Sequence, residues 1–148
     1  FIYINNKKYF DLSLQNGVLL LGHNSKIFKN TLNKIIKNKI SLSNLNISKI
    51  HKKISNIIKK NFRSTHKLIY CTTGSESVIK AIRIAKALSK NKNKIFLANG
   101  SWHGSVDQTL FFSKNNLKPI PISSGISENF IKNVKILPFD DVKKSKKF

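Results

Sequence analysis

The run Cys71-Thr72-Thr73-Gly74-Ser75-Glu76-Ser77 places hydroxyls and a glycine ahead of an amphipathic stretch carrying Val78, Ile79, Ile82, Ala85 and Leu88. At the start of a helix, backbone N–H groups lack intrahelical partners and the helix dipole adds positive potential. Such a turn can hold a phosphate, with the glycine allowing close backbone approach and the hydroxyls adding donors. Further along, Gly100-Ser101-Trp102-His103-Gly104 sets an indole and an imidazole between two glycines. An exposed aromatic in that place can cover a flat ring. The two runs together describe a pocket for a flat, phosphorylated cofactor. A plainer account also fits: Thr73 and Glu76 satisfy a helix capping box, Trp102 anchors a loop, and His103 serves structure. The residues alone leave both accounts open.

The elements that must position these runs follow from hydrophobic pattern. Leu68-Ile69-Tyr70-Cys71 reads as a buried strand, Glu76 to Ser89 as a helix, and Ile95-Phe96-Leu97-Ala98 as a second strand. Strand, helix and strand at this spacing predict a parallel crossover unit, and ligands in such sheets sit beyond the carboxyl ends of the strands. Both runs lie at those ends. Upstream, Phe1 to Ile4 and Tyr9-Phe10 flank a polar turn in a hairpin pattern. Helices are expected over 27–40 and 47–62 from the recurrence of Phe28, Leu32, Ile35 and Ile36, and of Ile47, Ile50, Ile54, Ile57 and Ile58. Downstream, 106–112 is a short helix or strand, 114–129 a loop, and Val134 to Leu137 a strand. Asp140 is expected to cap a final helix. The division expected is an N-terminal hairpin and helical segment over 1–66 and an incomplete large domain over 67–148.

Composition narrows the function classes. Lys and Arg number 28 against 6 Asp and Glu, giving a formal charge of +22. A nucleic-acid-binding protein is therefore a rival reading. The excess is lysine, however, with only Arg63 and Arg83 as arginine, and arginine is the preferred bidentate reader of phosphate and bases. The one cysteine, Cys71, rules out an internal disulfide and reads as a buried, inert thiol in a reducing, cytoplasmic setting. No run reaches the roughly 18 consecutive apolar residues of a membrane span. Histidines and carboxylates do not fall at metal-ligand spacing, so no metal is expected. His23 reads as structural, and His51 and His66 as solvated. The chain opens at Phe1, contains no Met, and ends in a lysine-rich, helix-like run, which is expected of part of a longer protein.

Four segments in order carry a resemblance. Gly17 with Leu21-Gly22-His23-Asn24, Thr73-Gly74-Ser75-Glu76-Ser77 with Ala81 to Ala87, Ser101-Trp102-His103-Gly104, and Leu137-Pro138-Phe139-Asp140-Asp141-Val142 resemble class III aminotransferases of pyridoxal-phosphate fold type I. Within them the likeness is greatest to glutamate-1-semialdehyde aminomutases. The resemblance implies an α/β fold: part of the fold-type I large domain, a parallel or mixed sheet with flanking helices, preceded by the hairpin and helices. It implies pyridoxal 5'-phosphate as cofactor, a small amino donor or acceptor as substrate, a homodimer, and amino-group transfer through a Schiff base. Carried over by position, Gly74 and Ser75 hold the phosphate, Thr73 belongs to the same cofactor-binding turn, and Trp102 takes the place of an aromatic, usually Tyr or Phe, stacked on the pyridine ring. His103 and Gly104 continue that loop, and Glu76 lies in the next layer. The early segment departs from the family's Gly-His-x-His-Pro, reading Gly22-His23-Asn24-Ser25-Lys26. No lysine fills the Schiff-base motif, and neither Asp107 nor Asp140 falls where the pyridine-nitrogen aspartate belongs. Both groups are expected outside this chain, which by itself is expected to be inactive. Another class III enzyme, acting on ω-amino acids or sugar-linked substrates, fits the same residues.

Overall fold

A computed structural model describes residues 1–41, 48–62, 67–90, 93–114 and 116–146. Ile47, Arg63 and His66, read above from sequence, lie outside the described residues. The chain forms two units, Phe1–Asn46 and Ile47–Phe148.

In the first unit, β1 (Ile2–Ile4) and β2 (Lys7–Tyr9) pair antiparallel, with Ile2 opposite Tyr9. Asn5 and Asn6 turn the hairpin at φ 49° and 61°, the left-handed region that Asn tolerates better than most residues. Helix α1 spans Lys26–Lys37, and its Ser25 cap accepts from the Phe28 N–H. Between them the Asp11 carboxylate gathers the chain. Its Oδ1 accepts from the Ser13 and Leu14 N–H groups and the Ser13 hydroxyl, and its Oδ2 lies 2.7 Å from His23 Nε2. The His23 contact, then the Ser13 hydroxyl, holds Asp11 well below the ordinary carboxylate range. A carboxylate depressed in the folded state stabilises above its unfolded pKa, near 4, and that contribution is lost as pH falls toward the folded value. Limited proteolysis within 13–22 should therefore accelerate on acidification below about pH 4. Asp11→Asn should show the faster cleavage already at neutral pH and little further change in acid.

The second unit begins with α2 (Lys49–Asn61). Its Ser48 cap accepts from the His51 N–H, and His51 Nδ1 accepts in return from the Ser48 N–H. His51 is thus not solvated as expected. It sits at the third helical position, where a capping box needs an acceptor, and its ring lies 4.5 Å from that of Tyr70. The Tyr70 hydroxyl also donates to the His51 carbonyl and meets Ser55 Oγ at 2.7 Å.

Residues 68–71 do not form the expected strand. They find no ladder partner among the described residues, and a strand is defined by its pairing. Cys71 is half-buried rather than buried. The parallel pair is instead β3 (Ile95–Ala98) with β6 (Val134–Leu137), where Leu97 faces Ile136. Helix α3 (Gly74–Leu88) precedes β3. The ambiguous 106–112 segment resolves into both possibilities, a 3₁₀ turn at Asp107–Thr109 and β4 at Phe111–Phe112. β4 pairs antiparallel with β5 (Ile120–Pro121), inside the region read as loop. A second 3₁₀ segment, Glu128–Asn133, leads into β6. The last helix, α4 (Val142–Ser145), is capped by Asp141, not Asp140: Asp141 Oδ1 accepts from the Lys144 N–H at 2.9 Å.

Leu97, Phe111, Val134 and Ile136 form the core, with Ile95, Ile126, Phe130 and Ile131 packed against it. Beyond β3, Asn99 is pinned twice to Ser113, donating to its carbonyl and accepting from its N–H, both at 2.9 Å. That fixes where the chain leaves the sheet, and the Trp102 loop follows directly.

Candidate cofactor site

Helix α3 begins at Gly74 because Thr73 is extended and its Oγ1 accepts from the Glu76 N–H at 3.1 Å. The Glu76 carboxylate reaches back one residue beyond the expected box, accepting from the Thr72 N–H at 2.7 Å. Its other oxygen pairs with Lys80 at 2.6 Å. Lys80 first, then the Thr72 N–H, holds Glu76 below the ordinary range, while the Glu76 contact raises Lys80. The carboxylate is therefore occupied and neutralised. The Ser77 N–H bonds to the Thr73 carbonyl. The N–H groups of Gly74 and Ser75 at this helix start have no partner among the described residues.

The loop after β3 comes to the same place. The Ser105 N–H donates to Ser75 Oγ at 2.9 Å. That bond takes one of the oxygen's two acceptor positions and leaves the Ser75 O–H free to donate. Gly104 crosses just above, at φ +87°, where a Cβ would meet Ser75 Cα and Oγ, both at 3.1 Å. The close approach explains the glycine at this position. His103 Nδ1 is buried with no hydrogen-bond partner among the described residues. Trp102 is 66% exposed and free to cover a group lying outside the turn.

The structure thus brings Ser75 against Gly104 and Ser105, with Thr73 and Glu76 building the helix start. His103 and Trp102 ride on the same loop, one with a buried ring nitrogen and the other with an open ring. Sequence reading missed Ser105 and Thr109. The first acts through its backbone N–H, which carries no side-chain signal. The second lies in the segment whose pattern left helix and strand undecided.

The sequence model of the family described as aminotransferase class-III matches residues 2–147. The chain is 33% identical over 144 residues to the glutamate-1-semialdehyde 2,1-aminomutase of Wigglesworthia glossinidia brevipalpis, covering 93% of this chain and 32% of that protein. It is 30% identical over 141 residues to the protein of the same name from Thermodesulfovibrio yellowstonii, covering 94% and 32%. The chain spans about a third of the length of these curated relatives (32% in both). Among solved structures it resembles an omega-transaminase from Sphaerobacter thermophilus, with TM-score 0.74 at 19% identity over 91% of this chain and 32% of the other. A transaminase with PLP bound gives TM-score 0.77 at 20% identity over 90% and 31%. The mixed α/β architecture, with its parallel pair and flanking helices, is the fold of these transaminases.

Proposed function

The chain belongs to the class III aminotransferases, and from that membership we propose that it is the part of a pyridoxal-phosphate enzyme that grips the cofactor's phosphate and ring. The observation that carries this is the junction at Ser75. Two unpartnered N–H groups, a hydroxyl with a donor to spare and a close-crossing glycine converge at a helix start. That donor set fits a phosphate, which has only acceptors to offer at neutral pH.

In this reading the Gly74 and Ser75 N–H groups and the Ser75 O–H bind the phosphate, and the α3 dipole offsets its charge. Thr73 and Glu76 hold the helix start in shape. Trp102 covers the ring and keeps water from one face, and His103 and Gly104 set the height of that cover. The bound cofactor supplies an electron sink for amino-group transfer. No residue of this chain is assigned the covalent lysine or the aspartate at the ring nitrogen. The relatives named as aminomutases support glutamate-1-semialdehyde as the substrate. The complete enzyme is read as a cytoplasmic homodimer with its large domain starting near residue 67. The apolar residues that α1 leaves open, Phe28 at 60% and Ile36 at 66% exposure among them, support a partner. Among the described residues, no helix is long and apolar enough to cross a membrane.

The test compares pyridoxal 5'-phosphate with pyridoxal, which lacks the phosphate. The protein should prefer the phosphorylated form, and Ser75→Ala should erase about ten- to a hundredfold of that preference, the worth of a hydrogen bond to a charged group. An unchanged preference in Ser75→Ala would remove the phosphate assignment.

A further inference from the structure

Thr109 is 5% exposed, and its hydroxyl lies beneath the turn that carries Trp102 and His103. Oγ1 is 2.9 Å from the Val106 carbonyl oxygen, 3.3 Å from that of Gly104 and 3.4 Å from that of His103. Its single proton donates most directly to Val106 and can be shared with the other two. Two of these carbonyls have other donors: the Thr109 N–H reaches Val106 O at 2.6 Å and the Val106 N–H reaches Gly104 O at 3.0 Å. The His103 carbonyl has no other partner among the described residues.

Beyond the close crossing of Gly104 over Ser75, a groove separates this turn from α3. This open groove, about 170 Å³, is lined by Ile79, Ile82, Arg83, Lys86, Val106 and Gln108. The turn meets the helix at the two ends of that gap instead, through Ser105 N–H to Ser75 Oγ and through Lys86 Nζ to Gln108 Oε1 at 2.8 Å. A segment that meets its neighbour at few points beside an open groove depends on internal bonds to keep its shape. The buried Thr109 hydroxyl adds a side-chain contact to the backbone bonds of the turn and is the group that reaches the His103 carbonyl.

We propose that Thr109 is a positioning residue. By gathering the carbonyls of His103, Gly104 and Val106, it sets the loop that brings Ser105 N–H onto Ser75 and fixes where Trp102 stands. The inference rests on the proposed cofactor site and adds a residue that touches neither phosphate nor ring.

Thr109→Val keeps the side-chain shape and removes only the hydroxyl, while Thr109→Ser restores the hydroxyl. Two readouts are taken on the intact protein: exchange of the Ser105 amide hydrogen without cofactor, and affinity for pyridoxal 5'-phosphate. The expected result is about tenfold faster exchange and about tenfold weaker affinity in Thr109→Val, with Thr109→Ser close to wild type. Ile136→Val, which trims the core away from the loop, should lower Tm without either change and so separates positioning from general loss of stability. If Thr109→Val fails to fold, Thr109→Cys keeps the shape with a weaker donor and should fall between the two. Ser105 exchange equal to wild type in the folded Val or Cys variant overturns the inference. Faster exchange in a protein that takes no cofactor even as wild type would leave Thr109 as a positioning residue of the turn and instead overturn the cofactor site.

Discussion

Gly104→Ala is expected to weaken pyridoxal 5'-phosphate binding by roughly thirty- to five-thousandfold, as the sum of two separate penalties. Gly104 sits at φ +87°, where an L-residue pays about 1–2 kcal/mol. The new methyl would also stand 3.1 Å from Ser75 Cα and Oγ. The Cα cannot swing aside as a side-chain tip can, because it belongs to the first turn of α3. Overpacking against a fixed neighbour adds about 1–3 kcal/mol. The loop can relieve both by lifting off the helix, which breaks the Ser105–Ser75 bond and carries Trp102 with it. Isothermal titration of cofactor into Gly104→Ala and wild type measures the loss. Gly100→Ala is the control: it has the same kind of backbone, at φ +78°, but nothing within 4 Å of the added Cβ. Its penalty should be the backbone share alone. Equal losses in the two variants would mean that the contact with Ser75 contributes nothing.

Ile136→Ala should produce the largest loss of stability, about 2–5 kcal/mol. Ile136 is 0% exposed and stands opposite Leu97, itself 2% exposed, across the parallel pair. Trimming it removes buried methylenes and leaves a cavity where β3 and β6 meet, and the core is too small to refill it. The substitution is remote from the Ser75 junction, so it should shift the urea midpoint at an unchanged slope. Leu88→Ala is the contrast. That side chain is 77% exposed, and its removal should fall within about 0.5 kcal/mol. A midpoint shift no larger than that of Leu88→Ala would show that the parallel pair does not carry the core.

Much of this architecture is legible in the sequence where local pattern decides it. The hairpin, α1, α2, α3, β3 and β6 fall where local pattern and 3.6-residue recurrence place them, because each carries an apolar pattern that its own residues define. The reading fails where a partner decides the matter. Residues 68–71 are as apolar as β3, but strand character needs a neighbour, and among the described residues they find contact through Tyr70 with α2 instead. Asp140 and Asp141 are chemically equal caps, and only the backbone turn chooses the second. At the site, small residues before an amphipathic helix mark the phosphate turn. Nothing in the letters shows that Ser75 spends its acceptor on Ser105, or that Thr109 lies under the loop. Those facts depend on how a chain returning from β3 crosses a helix start laid down 30 residues earlier.

Trp102 is the single tryptophan of this sequence, so its fluorescence reports directly on the ring the account places beside it. The measurement is a titration of pyridoxal 5'-phosphate followed by quenching of that emission, with inorganic phosphate as competitor. The account predicts saturable quenching that phosphate reverses and that Ser75→Ala weakens by at least about tenfold. Quenching that neither saturates nor responds to phosphate, or that is the same in Ser75→Ala, would contradict the joining of the helix start and the aromatic loop into one cofactor site.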